Sequence, residues 1–234
     1  MIAREGLPFI LVALGVAVGL AWAELRWDSW WLLSGAALFL LLTLFIVFFF
    51  RDPRRHIEAE PNQLLSPADG KILGIETIEN HQYIGGDALK ISVFLSIFDV
   101  HINRMPATGR IDYVRYNPGK FFSAFKDKAS ELNEHNEIGM TTSAGFGIVL
   151  KQIAGVIARR IVCRAREGDI VKAGAKFGMI RFGSRVELFV PVDIELQVKQ
   201  GDHVKAGLTV LGTFPQTAAV MTSEKAGQGE NAKL

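Results

Sequence analysis

Ser184 follows Gly183 in the only Gly-Ser pair of the chain, which sets a hydroxyl nucleophile next to a glycine carbonyl. The glycine helps in two ways: it tolerates strained backbone conformations, and it has no side chain to shield its carbonyl from the hydroxyl. Taken alone, a Gly-Ser pair in a β-turn is ordinarily just a turn. Two other residues could move protons. His101 lies in Phe98-Asp99-Val100-His101-Ile102-Asn103-Arg104-Met105-Pro106, and its ordinary pKa near about 6.5 suits acid and base work. Asp69 lies in Ser66-Pro67-Ala68-Asp69-Gly70-Lys71, where a carboxylate can orient and charge-stabilise an imidazole. Singly, Asp69 reads as an Asp-Gly turn residue and His101 as a strand-end histidine with a satisfied ring.

These residues need elements to position them. From Leu65 the chain reads as short alternating strands between Gly and Pro turns: Lys71 to Ile75, Ala88 to Leu95, Val186 to Val190 and Ile194 to Val198. Asn117-Pro118-Gly119 is a strong turn signal, and a helix is expected near Phe121 to Glu134. The domain is therefore expected to be mainly β with minor helix. A repeat frames the candidate serine. Gly168-Asp169-Ile170-Val171-Lys172-Ala173-Gly174 recurs 33 positions later as Gly201-Asp202-His203-Val204-Lys205-Ala206-Gly207. One β-turn unit used twice resembles the half-motifs of barrel-sandwich carrier domains. No Met-Lys pair is present to carry a swinging arm, which argues against a carrier.

The first fifty residues are different. Leu7 to Ala23 and Trp30 to Phe50 are apolar runs, each near the roughly 20 residues that cross a bilayer core. The polar turn Glu24 to Ser29 between them makes a helical hairpin the natural reading. Arg4 precedes the first run, and Arg51, Arg54 and Arg55 follow the second, whereas the turn has one Arg against two acids. The positive-inside bias puts both ends and the soluble domain in the cytoplasm, with Trp27, Trp30 and Trp31 as anchors at the outer interface. A cleaved signal peptide is the alternative for the first run, and the Arg cluster weighs against it. The expected organisation is thus a membrane hairpin over 1–55, a β-rich domain over 56–221 and a polar, disordered tail over 222–234. Residues 56–64 read as its linker.

The chain has 234 residues, 49% of them hydrophobic, and a net charge of +2. That small charge, and the lack of any RNP or basic-repeat pattern, argue against a nucleic-acid partner. Its one cysteine, Cys163, cannot form an internal bridge, and no Cys/His cluster has zinc spacing, so no metal is expected.

Together the segments are more specific than any one of them. The hydrophobic start, Phe50-Arg51-Asp52-Pro53, the Ser66–Lys71 and Asp99–Pro106 segments, Tyr116-Asn117-Pro118-Gly119-Lys120-Phe121 and Arg181-Phe182-Gly183-Ser184-Arg185 resemble the phosphatidylserine decarboxylase family in its short membrane-anchored form. The resemblance covers nearly the whole chain. It implies a proenzyme that cuts itself between Gly183 and Ser184. The serine attacks the glycine carbonyl, the resulting ester eliminates, and the dehydroalanine hydrolyses to a pyruvoyl group, the covalent cofactor. The products are a β chain, 1–183, and an α chain, 184–234, with burial of residue 184 between the repeats holding them together. The resemblance further implies that the substrate amine forms a Schiff base with the pyruvoyl carbonyl, which accepts electrons as CO2 leaves.

Within that reading Asp69 and His101 are the acid/base candidates, and Arg104 and Lys120 the substrate-binding ones. Longer relatives carry a second histidine where this chain has Arg104, which cannot serve as a base because its pKa exceeds about 12. Two readings of the self-cleavage base stay open: His101 serves both steps, or Asp69 acts directly. Arg104 can instead hold a carboxylate or phosphate. Lys120 opens Lys120-Phe121-Phe122-Ser123-Ala124-Phe125-Lys126, where Phe121, Phe122 and Phe125 beside Lys128 suit docking on an anionic lipid surface; packing of those rings inside is equally open. His81, His135 and His203 have no partner by spacing and read as surface residues. A homo-oligomer is expected of such an enzyme.

Two rival classes remain: a membrane-anchored adaptor built on a barrel-sandwich module, and a serine hydrolase. Adaptors usually insert a long coiled-coil hairpin between half-motifs, where this chain has about 26 residues. No Gly-x-Ser-x-Gly elbow surrounds Ser184.

Overall fold

The computed structural model describes residues 1–122, 132–155, 161–181 and 184–215. The chain divides into two compact units, Met1–Arg55 with Ile97–His101, and His56–Ser96 with Ile102–Leu234.

In the first unit a 3-10 turn, Arg4–Gly6, leads into α1 (Leu7–Trp27), and α2 (Trp30–Phe49) runs back beside it. The connection is tighter than the expected six-residue turn. Helix α1 continues through Trp27, and Asp28 takes the left-handed conformation, φ 42°, that lets the chain reverse within two residues. The helices approach along small side chains, with Ala13, Ala17 and Ala36 buried, as helix pairs in lipid do. Leu11, Val12, Leu38 and Leu41 point outward, and a 20-residue helix spans about 30 Å, the thickness of a bilayer core. Both helices are long and apolar enough to cross a membrane. The Thr43 hydroxyl donates to the Phe39 carbonyl of its own helix at 2.7 Å, so no polar group faces lipid unpaired there. The open end is tied by backbone bonds from Ala3 N to Phe50 O and from Asp52 N to Met1 O.

The second unit is built from β1 (Gln63–Leu65), β2 (Gly70–His81), β3 (Gly86–Leu95), β4 (Ile102–Arg104), β5 (Gly109–Asn117), β6 (His135–Thr142), β7 (Gly147–Ile153), β8 (Ile161–Cys163), β9 (Ile170–Val171), β10 (Lys176–Ile180), β11 (Ser184–Pro191), β12 (Glu195–Leu196), β13 (His203–Val204) and β14 (Val210–Thr213). An antiparallel sheet of order β13-β2-β3-β11-β7-β6-β5-β9 curls into a half-barrel, with two small sheets, β1-β14-β12 and β4-β10-β8. Alternate residues of the large sheet, among them Ile91, Val93, Val186, Leu188, Ile148, Leu150, Ile138 and Met140, form one buried cluster. Each such side chain contributes about 1.5–3 kcal/mol when fully buried. The β2–β3 hairpin tip is tied to β5 by Tyr83, whose hydroxyl donates to Asp112 at 2.5 Å. Burial, reinforced by that bond, pushes the Tyr83 pKa up to about 12.

The mainly β expectation holds, with local differences. The strands around 71–75, 88–95 and 186–190 run longer than their alternation suggested, whereas only Glu195–Leu196 of the expected 194–198 strand pairs. Strand β1 begins inside the stretch read as linker. The helix expected near 121–134 falls largely on residues outside those described, and so does the tail. His81 and His135 are half-buried, contrary to the surface reading. The His81 ring lies 5.1 Å from Phe189, and His135 Nδ1 is 2.8 Å from the Asn133 carbonyl. Burial lowers both pKa values; Lys151 adds to the effect at His135, and Glu137 opposes it at both. His203 is exposed as expected.

Gly70 opens β2 where the chains approach most closely: a Cβ there would sit 2.0 Å from the Phe94 carbonyl oxygen. Gly85, φ 81°, faces open space. Thermal unfolding in detergent is expected to separate them, with Gly70→Ala losing more than about 3 kcal/mol and Gly85→Ala about 1 kcal/mol.

Candidate active site

Both seven-residue repeats fold alike, and each grips one of the candidate segments. Asp169 Oδ2 accepts the Arg166 N–H at 2.9 Å, and Asp202 Oδ2 accepts the Lys199 N–H at 2.9 Å. These aspartates close identical turns through Gly168 and Gly201, both at positive φ. The closing glycines reach across. Gly174 N donates to Met105 O and Gly207 N to Ser66 O, each at 2.8 Å. Gly174 therefore holds the histidine-bearing segment just after Arg104, and Gly207 holds the Ser66–Lys71 segment. The two turns abut, because a Cβ on Gly207 would lie 3.4 Å from the Gly174 Cα and 2.9 Å from Ile57 Cδ1.

Asp69 is fixed by this arrangement. Its Oδ1 accepts the Ala206 N–H at 2.8 Å, and the residue is 8% exposed. Arg104 is also buried, with Nη1 donating to the Gly174 carbonyl at 2.9 Å. So Asp69 is tied to one repeat and Arg104 to the other. Ser184 starts β11 opposite Leu95 and shares a face with Val186 and Leu188. It is fully buried, and its Oγ has no hydrogen-bond partner among the described residues. An unmade bond at a buried hydroxyl costs about 1–3 kcal/mol, which makes Ser184 a candidate functional residue. Gly183 lies outside the described residues.

His101 belongs to the first unit. Its ring centroid is 4.2 Å from that of Phe49, at the end of α2, and Nδ1 is 3.0 Å from the Asp99 carbonyl. Nearby, Arg51 donates to the Phe98 carbonyl and stacks on the Phe48 ring. Lys120 is exposed, with its amine 5.9 Å from the Phe122 ring centroid. Of the aromatic face, Phe121 is half-buried and Phe122 exposed, while Phe125, Lys126 and Lys128 lie outside the described residues.

Other polar residues of this region escaped the sequence reading. Arg185 and Glu187 form a buried pair on the other face of β11, at 3.3 Å. Asn103, Asn136 and Gln152 are buried. Their signal was available in the alternation: inward positions 138 and 140, and 148 and 150, are apolar, and each series ends in an amide at 136 or 152.

A pyruvoyl group fits residue 184. Such a group would be made from that residue's own atoms and would need a serine shielded from bulk water; Ser184 is buried, and its Oγ has no hydrogen-bond partner among the described residues.

Comparison with known proteins shows the family. Residues 42–212 match the family model described as phosphatidylserine decarboxylase. Curated relatives named phosphatidylserine decarboxylase proenzyme include those of Syntrophus aciditrophicus, 48% identical over 91% of this chain and 97% of the relative, and Desulfotalea psychrophila, 46% identical over 90% and 95%. The protein of Carboxydothermus hydrogenoformans is 47% identical over 89% and 94%. The chain belongs to the phosphatidylserine decarboxylase family.

Asp69 can be separated from its structural bond by choice of substitution. Asp69→Asn keeps an oxygen for the Ala206 N–H, whereas Asp69→Leu removes that acceptor. Thermal unfolding is expected to give the leucine variant the larger loss, by about 1–3 kcal/mol.

Proposed function

We propose that this chain decarboxylates phosphatidylserine to phosphatidylethanolamine and CO2, through a pyruvoyl group made from Ser184. The activity is that of a phosphatidylserine decarboxylase, a pyruvoyl-dependent lyase formed from a proenzyme. The observation that carries the assignment of residue 184 is its buried hydroxyl at the head of β11, without a hydrogen-bond partner among the described residues, in a member of this family.

Self-processing starts when Ser184 Oγ adds to the Gly183 carbonyl carbon and the peptide nitrogen leaves with a proton, converting amide to ester. Loss of the Cα proton and of the Cβ–Oγ bond then releases residues 1–183 with a carboxylate end. Water replaces nitrogen at the new chain start, and ammonia departs. The β chain is 1–183 and the α chain 184–234. Pairing supports their staying together: β11 lies between β3 and β7, β13 pairs with β2 and β14 with β1, so strands after the cut are held by strands before it.

The pyruvoyl carbonyl supplies the electron sink for decarboxylation. His101 protonates the former α-carbon, and Asp69 supports the charge that the imidazole carries. Arg104 and Lys120 hold the anionic headgroup, Arg104 as a permanent charge kept from water. The α1–α2 hairpin spans the membrane, and Arg4, Arg51, Arg54 and Arg55 keep its ends and the β domain on the cytoplasmic side. Anchoring of this kind keeps the enzyme beside a substrate that does not leave the bilayer.

Purified protein in vesicles containing phosphatidylserine is expected to release CO2 and accumulate phosphatidylethanolamine. Ser184→Ala is expected to remain one chain and to release none. In His101→Ala, normal cleavage together with normal turnover would remove His101 from both roles.

A further inference from the structure

The segment between β3 and β4 belongs with the helices. Strand β3 ends at Leu95 and β4 begins at Ile102, and Ile97–His101 groups with the α1–α2 hairpin in the first unit. Two of its side chains are apolar and open to the surroundings: Phe98 is 65% exposed and Ile97 38%. Exposed apolar side chains scattered singly are ordinary on a protein surface. These are not scattered. Arg51, just past the end of α2, donates from Nη2 to the Phe98 carbonyl at 2.6 Å and from Nη1 to the Phe48 carbonyl at 2.9 Å. Its guanidinium lies 4.0 Å from the Phe48 ring centroid, and its backbone pairs with Ile2. Phe48 and Ile2 are exposed as well. One arginine thus gathers exposed apolar residues from three stretches of the chain around one end of the hairpin.

Helix length sets the depth of this collar. The 20 residues of α2 rise about 30 Å, which matches the hydrocarbon core of a bilayer. With Trp30 at one edge of that core, Phe49 falls at the other and Arg51 at the level of the headgroups. Phe98 is bonded to Arg51, so Ile97 and Phe98 share that level. An arginine among aromatic and aliphatic side chains suits this boundary, because the apolar groups enter the acyl region while the guanidinium stays with the phosphates. Continuity favours lipid over a protein partner: the collar prolongs the outward surface of α1 and α2, where Leu11, Val12, Leu38 and Leu41 are exposed.

We propose that Ile97 and Phe98 insert into the headgroup–acyl boundary of the bilayer, a membrane contact additional to the two helices, with Arg51 clamping the loop to the end of α2. The inference rests on the hairpin spanning the membrane and adds a loop from outside it to the lipid-facing surface. His101, whose ring packs on that of Phe49, is then held at the depth of the lipid headgroups, which is where a lipid-bound serine lies.

Spin labels report the depth. Cys163 is the one cysteine, so a Cys163→Ser background accepts single labels at Phe98→Cys, at Leu41→Cys in the middle of α2, and at Asp193→Cys in the exposed turn after β11. The full-length chain is reconstituted in vesicles of equal parts phosphatidylcholine and phosphatidylglycerol, and collisions of each label with oxygen and with a water-soluble nickel complex are compared. Oxygen concentrates in the acyl region and the nickel complex in water. The oxygen-to-nickel ratio at 98 is expected to lie between those at 41 and 193, and about threefold or more above that at 193. A ratio at 98 equal to that at 193, with 41 in the acyl region, overturns the proposal and leaves the hairpin reading standing. A ratio at 41 equal to that at 193 overturns the hairpin reading and the proposal with it. If the Phe98→Cys chain does not fold, the label at Ile97→Cys decides in the same terms.

Discussion

Two glycine-closed turns, packed nearly Cα against Cα, are the constraint on which the site depends. Gly174 and Gly207 adopt positive φ and each presents a backbone N–H outward, one to Met105 and one to Ser66. A side chain at either position would push into Ile57. Because the turns are copies of one unit, the two segments they grip are held in matching ways, and Asp69 and Arg104 gain their buried positions through bonds to opposite turns. Each such bond contributes only about 1 kcal/mol. Their value is positional: they fix where two buried charged side chains lie.

The same arrangement explains how a chain can be cut in its middle and keep its fold. The proposed break falls between β10 of a small sheet and β11 of the large one. Strand β11 is held by pairing along both edges, with β3 and β7, and not by its covalent link to β10. Cleavage therefore removes one connection from a strand whose backbone bonds are otherwise complete. A strand at a sheet edge would not have this security.

Much of this was legible in the sequence, for identifiable reasons. The repeat was visible because its turns need Gly and Asp at fixed offsets, and the structure shows both offsets used in the same way. The hairpin was visible as two apolar runs of bilayer length, although the turn proved shorter because Asp28 accepts a left-handed conformation. Ser184, Asp69 and His101 were singled out as candidates through motifs, not through periodicity. The amides at 103, 136 and 152 were passed over because single polar residues in short strands read as solvent-facing until strand register shows that they point inward. His81 and His135 were misread for a related reason: spacing along the chain carries no trace of Phe189 or of the Asn133 carbonyl.

The central claim is chemical: the peptide bond before Ser184 breaks from within and leaves a ketoacyl group at the new chain start. The intact mass of the small chain tests it most directly. The account predicts a peptide lighter, by the mass of one ammonia, than residues 184–234 beginning with an ordinary serine. A small chain with the full serine mass, or an uncut chain that still releases CO2 from its lipid, would contradict it.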